Sequence, residues 1–184
     1  MAGPKVPIDV DPETGIWLTD GLPMVYVPRH FLVNNHMQME AALGRDALRA
    51  ELQQSGDRSA LFWCQAESRR HGLRAEETVR HYLTRLSQRG WGRFDIVSLD
   101  PEAGTAEVTL DHSIFVLQAG RSEHPVCYMF EGFISGAFRH ILAERGRRAV
   151  PCCDEVDCAA VGNHVQCRFT LRCTPPPTLG SARS

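Results

Sequence analysis

No stretch of this 184-residue chain approaches the ~20 consecutive apolar residues that cross a bilayer, so no membrane span is expected. The N-terminus also lacks the charged-then-apolar pattern of a secretion signal, and a cytoplasmic location is the expectation. Neither sign of charge is in excess: 20 Lys and Arg stand against 22 Asp and Glu, for a net charge of −2. The arginines are scattered through segments that also carry Glu and Asp, which leaves no basic footprint for nucleic acid. Catalytic signatures are missing as well. There is no glycine-rich phosphate loop, no strand-turn-helix nucleophile motif and no paired-histidine zinc-protease motif. No dinucleotide fingerprint is present, so an independent reductase would lack a source of hydride. No internal repeat is visible.

Cysteine is not scarce. Seven cysteines, an odd number in a chain without a secretion signal, argue against a disulfide framework and for burial or metal binding. The stretch from Glu155 to Phe169 is the most informative, since it sets Cys158 and Cys167 across a turn carrying Gly162-Asn163, two residues that accept positive φ at little cost. Val165, Cys167, Phe169, Leu171 and Cys173 share one parity, which places Cys167 on the apolar face of a strand. Two thiols held that way form half of a metal site. Cys64 and Cys173 have no partner at ligand spacing and read as buried small hydrophobes. Cys152 and Cys153 are adjacent, so on a strand at most one can face any given ion, and Cys152 shares parity with Cys158. Glu155 reads equally well as an orienting group or as an arginine partner.

Hydrophobic residues at 43% and charged residues at 23% suit one globular domain of this length. Residues 1–35 hold short apolar pieces between turn signals and read as an arm with one or two short strands. Helical spacing predicts a helix over 34–55, with Gly44 as a break and Gly56 as a stop, then a helix over 58–71 ended by Gly72 and another over 74–89. The period then changes to two. Strands are predicted over 91–99 and 106–115, joined by a turn at Asp100-Pro101. A helix opened by Pro125 runs to Arg145, and strands over 150–158 and 165–173 complete the order. Residues 174–184 read as a flexible tail. The expected fold is α+β, with the N-terminal helices on one face of a four-stranded antiparallel sheet and a helix between its two hairpins. Gly132 and Gly136, one turn apart, mark a strip for close approach, by another backbone more readily than by a ligand.

Several phrases, taken in order, resemble the 4-vinyl-reductase-type small-molecule-binding domain family. They are Leu86–Phe94 entering the first core strand, Pro125-Val126-Cys127 with Gly132–Gly136 on the next helix, and Glu155-x-x-Cys158-x-x-x-Gly162 with Cys167-x-Phe169. The resemblance spans residues 36–173. It implies a fold shared with the ligand-binding halves of aromatic-sensing transcription activators and with subunits of the TRAPP vesicle-tethering complex. It also implies zinc, one per chain, held by Cys127, Cys158 and Cys167. The family's fourth ligand, a carboxylate near the end of the preceding strand, has no counterpart in Ser113-Ile114-Phe115, where the nearest candidates are Asp111, His112 and His124; His112 or His124 is taken as the possible fourth ligand.

Phe62, Trp63, Tyr128, Phe130 and Phe133 are candidates for the wall of a pocket for a small apolar or aromatic molecule, although aromatics at helical spacing also build cores. The leading expectation is a stand-alone zinc-containing sensor or carrier, homodimeric as its relatives tend to be, acting through a separate effector protein or enzyme. An accessory subunit or reductase-like enzyme of a small-molecule pathway, and an assembly or tethering subunit, are the alternatives.

Overall fold

A computed structural model describes residues 6–175; most of the expected flexible tail lies outside the described residues. Three short strands, β1 (Asp9–Val10), β2 (Trp17–Thr19) and β3 (Leu22–Met24), form a small antiparallel ribbon in the N-terminal arm. Helices α1 (Arg29–Leu43), α2 (Arg45–His71) and α3 (Glu76–Gln88) follow. Then come β4 (Arg93–Asp100), β5 (Thr105–Asp111), the short α4 (Ile114–Ala119), α5 (Met129–Glu144), β6 (Val150–Asp157) and β7 (Cys167–Thr174). The last four strands make one antiparallel sheet in the order β4-β5-β7-β6, the α+β arrangement expected from the change of period.

One face of this sheet is apolar and carries Phe94, Val108, Leu110, Cys167, Phe169 and Leu171, all buried. Helix α3 presents Val79, Tyr82, Leu83 and Leu86 at i, i+3, i+4 and i+7 spacing to the core, and Ser87 Oγ accepts a 2.9 Å hydrogen bond from the backbone of Phe94 at the start of β4. Helix α5 is buried along most of its length, and its Phe130 meets Phe94, Phe115 and Phe169 edge-on at centroid distances of 5.2–6.4 Å. On the polar face, Arg168 of β7 bridges Asp157 of β6 and Glu107 of β5.

The expected stop at Gly56 is wrong. Helix α2 runs unbroken from Arg45 through Gly56 to His71, and Gly56 is instead a contact residue: a side chain there would meet Phe133 and the backbone of Gly132 at 2.9–3.3 Å. Gly132 and Gly136 answer from α5, where a Cβ would fall 2.5 Å from the carbonyl oxygen of Gln53 and closer still to that of Asp57. Three glycines thus bring two helical backbones together, which a propensity argument reads as a break because glycine weakens an isolated helix. Gly44 does divide α1 from α2, with φ of 83°.

Three other boundaries move. The strand expected over 106–115 ends at Asp111, because His112 adopts φ of 54° and Ser113 caps α4 by accepting from the amide of Phe115. Pro125 lies before α5 rather than in its first turn. Val165, expected to share the buried face of the last strand, is 90% exposed in the loop before β7. The arm is tied to α3 by Asp20, buried against Arg85 and Arg89 at 3.0 Å each.

Because the α2–α5 contact has no room for a Cβ, Gly136→Ala is expected to cost about 1–3 kcal/mol by overpacking. The urea midpoint of the purified variant, compared with that of Gly146→Ala at a site open to solvent, measures this; an unchanged midpoint for Gly136→Ala would mean that the two backbones are not in contact.

Candidate metal centre and adjoining cleft

Cys127 lies in the turn that leads into α5, its carbonyl accepting from the amide of Phe130. Cys158 follows β6 directly, and Cys167 opens β7 opposite Leu110 of β5. All three are free thiols and buried. The Cys167 sulfur is 3.5 Å from that of Cys127 and 4.0 Å from that of Cys158. A disulfide would hold sulfurs at about 2.05 Å, whereas thiolates at about 2.3 Å from one ion in a tetrahedron stand about 3.8 Å apart. The observed separations match the second figure.

The fourth donor is Glu155. One of its carboxylate oxygens lies within 4.8 Å of every one of the three sulfurs, each of which is within that distance of the others. Neither His112 nor His124 belongs to the group. Both are exposed, and His112 faces a shallow groove with Gly92 and Arg93. Asp111 is engaged with Arg93. Ser113, in the segment that lacks a carboxylate, places its hydroxyl 3.0 Å from the Cys127 sulfur.

Glu155 reaches the cysteines because β6 bulges. Phe169 pairs with Glu155 and Arg168 with Asp157, so Val156 is an extra residue that breaks the alternation. Without it, Glu155 and Cys158, three apart, would face opposite sides. The same strand buries Cys153 rather than Cys152, and neither joins the group.

The carboxylate is fixed from two sides. The amide of Cys127 donates to Glu155 Oε2 at 2.8 Å, and the amide of Glu155 donates to Glu131 Oε1 at 2.8 Å. Glu131, fully buried on α5, also accepts two hydrogen bonds of 2.7 Å from Arg49 and one of 2.6 Å from Gln53, both on α2. Glu155 Oε1 is buried with no hydrogen-bond partner.

Four acidic groups therefore share one dry space. Burial drives the Cys127 thiol and the Glu155 carboxyl well above their ordinary pKa values, while hydrogen bonds from the neighbouring thiols hold Cys158 below its own. Such a set cannot ionise together without a cation, and a divalent ion would remove the conflict. The orphaned Oε1, the sulfur spacing and the donor chemistry all fit a metal.

Beside the cluster is a cleft of about 520 Å³ between α1, α4 and the segment before α5. Val33, Met37, Phe115 and Val126 give it apolar walls, and His36, Glu40, Arg45 and Arg121 supply polar groups. Val126 immediately precedes Cys127 and Phe115 is two residues from Ser113, so cleft and cluster share a wall. The residues expected to wall a pocket are elsewhere. Phe62 is 61% exposed on α2, Trp63 packs against Tyr82 and His81, and Phe130 sits at the centre of the core. Phe133 fills the space against Gly56 and meets Trp91. Tyr128 is buried, with its hydroxyl donating to Glu40 at 2.6 Å. The cleft had no sequence signal, since its lining comes from three separated segments.

His36 lies between the rings of Phe115 and Tyr128, at 4.8 and 5.0 Å, with Nε2 buried and unpartnered. Burial lowers its pKa below the ordinary 6.5, against the opposing pull of Glu40. His140 on α5 is lowered by burial in the same way.

Residues 2–97 match a family described as a domain of unknown function (DUF5943), and residues 106–173 match the vinyl-4-reductase domain family. No curated protein sequence matches the chain. Among solved structures, the phenol-responsive sensory domain of the transcription activator PoxR with phenol is similar at a TM-score of 0.73 and 16% identity, over 90% of this chain and 84% of that one. A trafficking protein particle complex subunit 3 from Naegleria fowleri, covalently bound to palmitic acid, gives 0.55 at 13% identity, over 79% and 95%. A vinyl-4-reductase family protein from Methanocaldococcus jannaschii gives 0.52 at 11% identity, over 82% and 84%.

The two lowered histidines carry a pH dependence. The unfolded chain takes up these protons near pH 6.5, and the folded chain only at lower pH, so stability is fully present above 6.5 and is lost as pH falls below it. Urea unfolding between pH 7.5 and 5 is expected to show this fall, with a shallower slope in His36→Gln; identical slopes would mean that His36 titrates normally in the folded chain.

Proposed function

The chain belongs to the DUF5943 family and carries a vinyl-4-reductase domain in its second half, and on that premise we propose that it is a zinc-containing small-molecule-binding domain, a sensor or carrier that acts through a separate protein. One observation carries the reading: three thiols and a carboxylate with an orphaned oxygen converge on the wall of a cleft that combines apolar surface with a few polar groups. Thiolate-rich tetrahedral sets favour zinc over the harder cations. Cys127, Glu155, Cys158 and Cys167 would hold it, and a closed four-ligand site supplies folding energy rather than reaction chemistry. The ion would fasten the entry of α5 to the β6–β7 ribbon, and through Val126 it would set one side of the cleft.

The occupant is a small apolar or aromatic molecule with one hydrogen-bonding group. Val33, Phe115 and Val126 suit the apolar part, and His36 Nε2 lacks the partner that a hydroxyl would provide. Two of the similar structures hold such molecules, phenol in one and palmitic acid in the other. A homodimer belongs to the same proposal. Tyr26 and Phe31, 62% and 59% exposed, are supported by the neighbouring Val25 and Val27 as an apolar surface for a second copy or an effector protein.

Elemental analysis of purified protein is expected to give about one zinc per chain, falling to background in Cys158→Ser and Cys167→Ser with a lowered Tm. Full zinc in both variants would overturn the metal assignment. Phenol and palmitate serve as probes of the cleft: a binder at 100 times its Kd should stabilise the protein by about 2.7 kcal/mol, read as a rise in Tm that His36→Phe abolishes. No rise with these or with a panel of monocyclic aromatics would sink the small-molecule reading and leave the zinc reading standing.

A further inference from the structure

A second group of metal-ligating side chains, sharing no residue with the cysteine cluster, lies at the turn between α2 and α3. Glu67 and His71 are one helical turn apart at the end of α2, and Gly72, in the left-handed conformation with φ of 66°, reverses the chain so that α3 brings His81 back against them. Both imidazoles direct Nε2 at the same carboxylate oxygen: Glu67 Oε2 is 3.0 Å from His81 and 3.2 Å from His71. All three donor atoms lie within 4.8 Å of one another.

We infer that Glu67, His71 and His81 form a second metal site, for a divalent first-row transition ion, with open positions facing solvent. The distances are those of ligands sharing an ion. Donors at about 2.0–2.1 Å from a metal stand about 3.3 Å apart in a tetrahedron and slightly closer in an octahedron. Two imidazoles and a carboxylate select this class of cation over magnesium or calcium, which take oxygen.

Glu67 supplies an independent observation. It is 1% exposed, its Oε1 is buried without any hydrogen-bond partner, and among the described residues its only ion-pair partners are the two histidines. A carboxylate withdrawn this far from water needs a compensating charge, and no Lys or Arg among the described residues provides it. The histidines are the open side of the site, His71 being 41% and His81 23% exposed, so an ion can enter and keep water or a ligand atom in its remaining positions. Trp63 stacks on His81 at 5.4 Å with an interplanar angle of 25°, which places a fluorophore against one of the ligands.

Tag-free protein with its cysteine cluster intact, titrated with Ni²⁺ and separately with Co²⁺, tests the site. Calorimetry is expected to show about one further ion per chain. Ni²⁺ should quench tryptophan fluorescence, and bound Co²⁺ should show visible bands without sulfur-to-metal charge transfer. His81→Ala and His71→Ala are expected to weaken uptake at least tenfold, as is Glu67→Gln, which keeps the side chain's volume. Because both histidines are partly exposed, folding survives their loss and circular dichroism verifies it. The site is refuted if no further ion is taken up, if uptake is unchanged in both histidine variants, or if Co²⁺ binding carries thiolate charge transfer and disappears in Cys158→Ser.

Discussion

Burying several acids in one place costs more than any single contact around them returns, and the region where α5 meets the β6–β7 ribbon is built on that constraint. Cys127, Glu155, Cys158 and Cys167 come from two loop edges and one bulged strand, and none is free to swing out into water. Each is held by backbone it does not share with the others. The amide of Cys127 fixes Glu155, and the amide of Ala159 donates to the Cys167 sulfur at 3.4 Å. Geometry with this degree of preparation is expensive without a cation and inexpensive with one, which is why the cluster reads as a ligand set rather than as packing.

The constraint reaches outward through Glu131. Its carboxylate collects Arg49 and Gln53 from α2 and the amide of Glu155 from β6, so three elements meet on one buried anion in the first turn of α5. That arrangement requires α2 and α5 to run close together, and Gly56, Gly132 and Gly136 allow it. The glycines and the acid network are therefore two halves of one solution. The first brings the helical backbones within reach, and the second locks the strand that carries Glu155 to both of them.

Much of this was legible in the residues, and the exceptions share a cause. The change of period near residue 90, the buried parity of Cys167, Phe169 and Leu171, and the break at Gly44 follow from local pattern, and they hold. Glu155 stayed undecided because strict alternation sets it opposite Cys158, and the extra residue that reverses this is visible only in the pairing of β6 with β7. Gly56 looked like a stop because helix propensity is local, whereas its function is a contact with a helix that lies far away in sequence. The aromatic residues grouped as a pocket wall have the right spacing, but Phe130 points into the centre of the core and Phe62 away from it. Spacing orders residues around a helix and leaves open which face the rest of the fold covers.

The position of the cleft bears on how an occupant could be sensed. Its walls belong to α1, to α4 and to the segment entering α5, and only the last of these is tied to the cysteine cluster. Helix α1 is joined to α2 through Gly44, and the arm that precedes it is latched by Asp20 to Arg85 and Arg89 of α3. A molecule that draws α1 toward Phe115 therefore works between a fixed wall and one carried on the arm. The exposed Val25, Tyr26, Val27 and Phe31 lie where that arm enters α1. Occupancy of the cleft and presentation of this apolar surface would then be coupled through a single short segment, with the metal side of the cleft acting as the stationary reference.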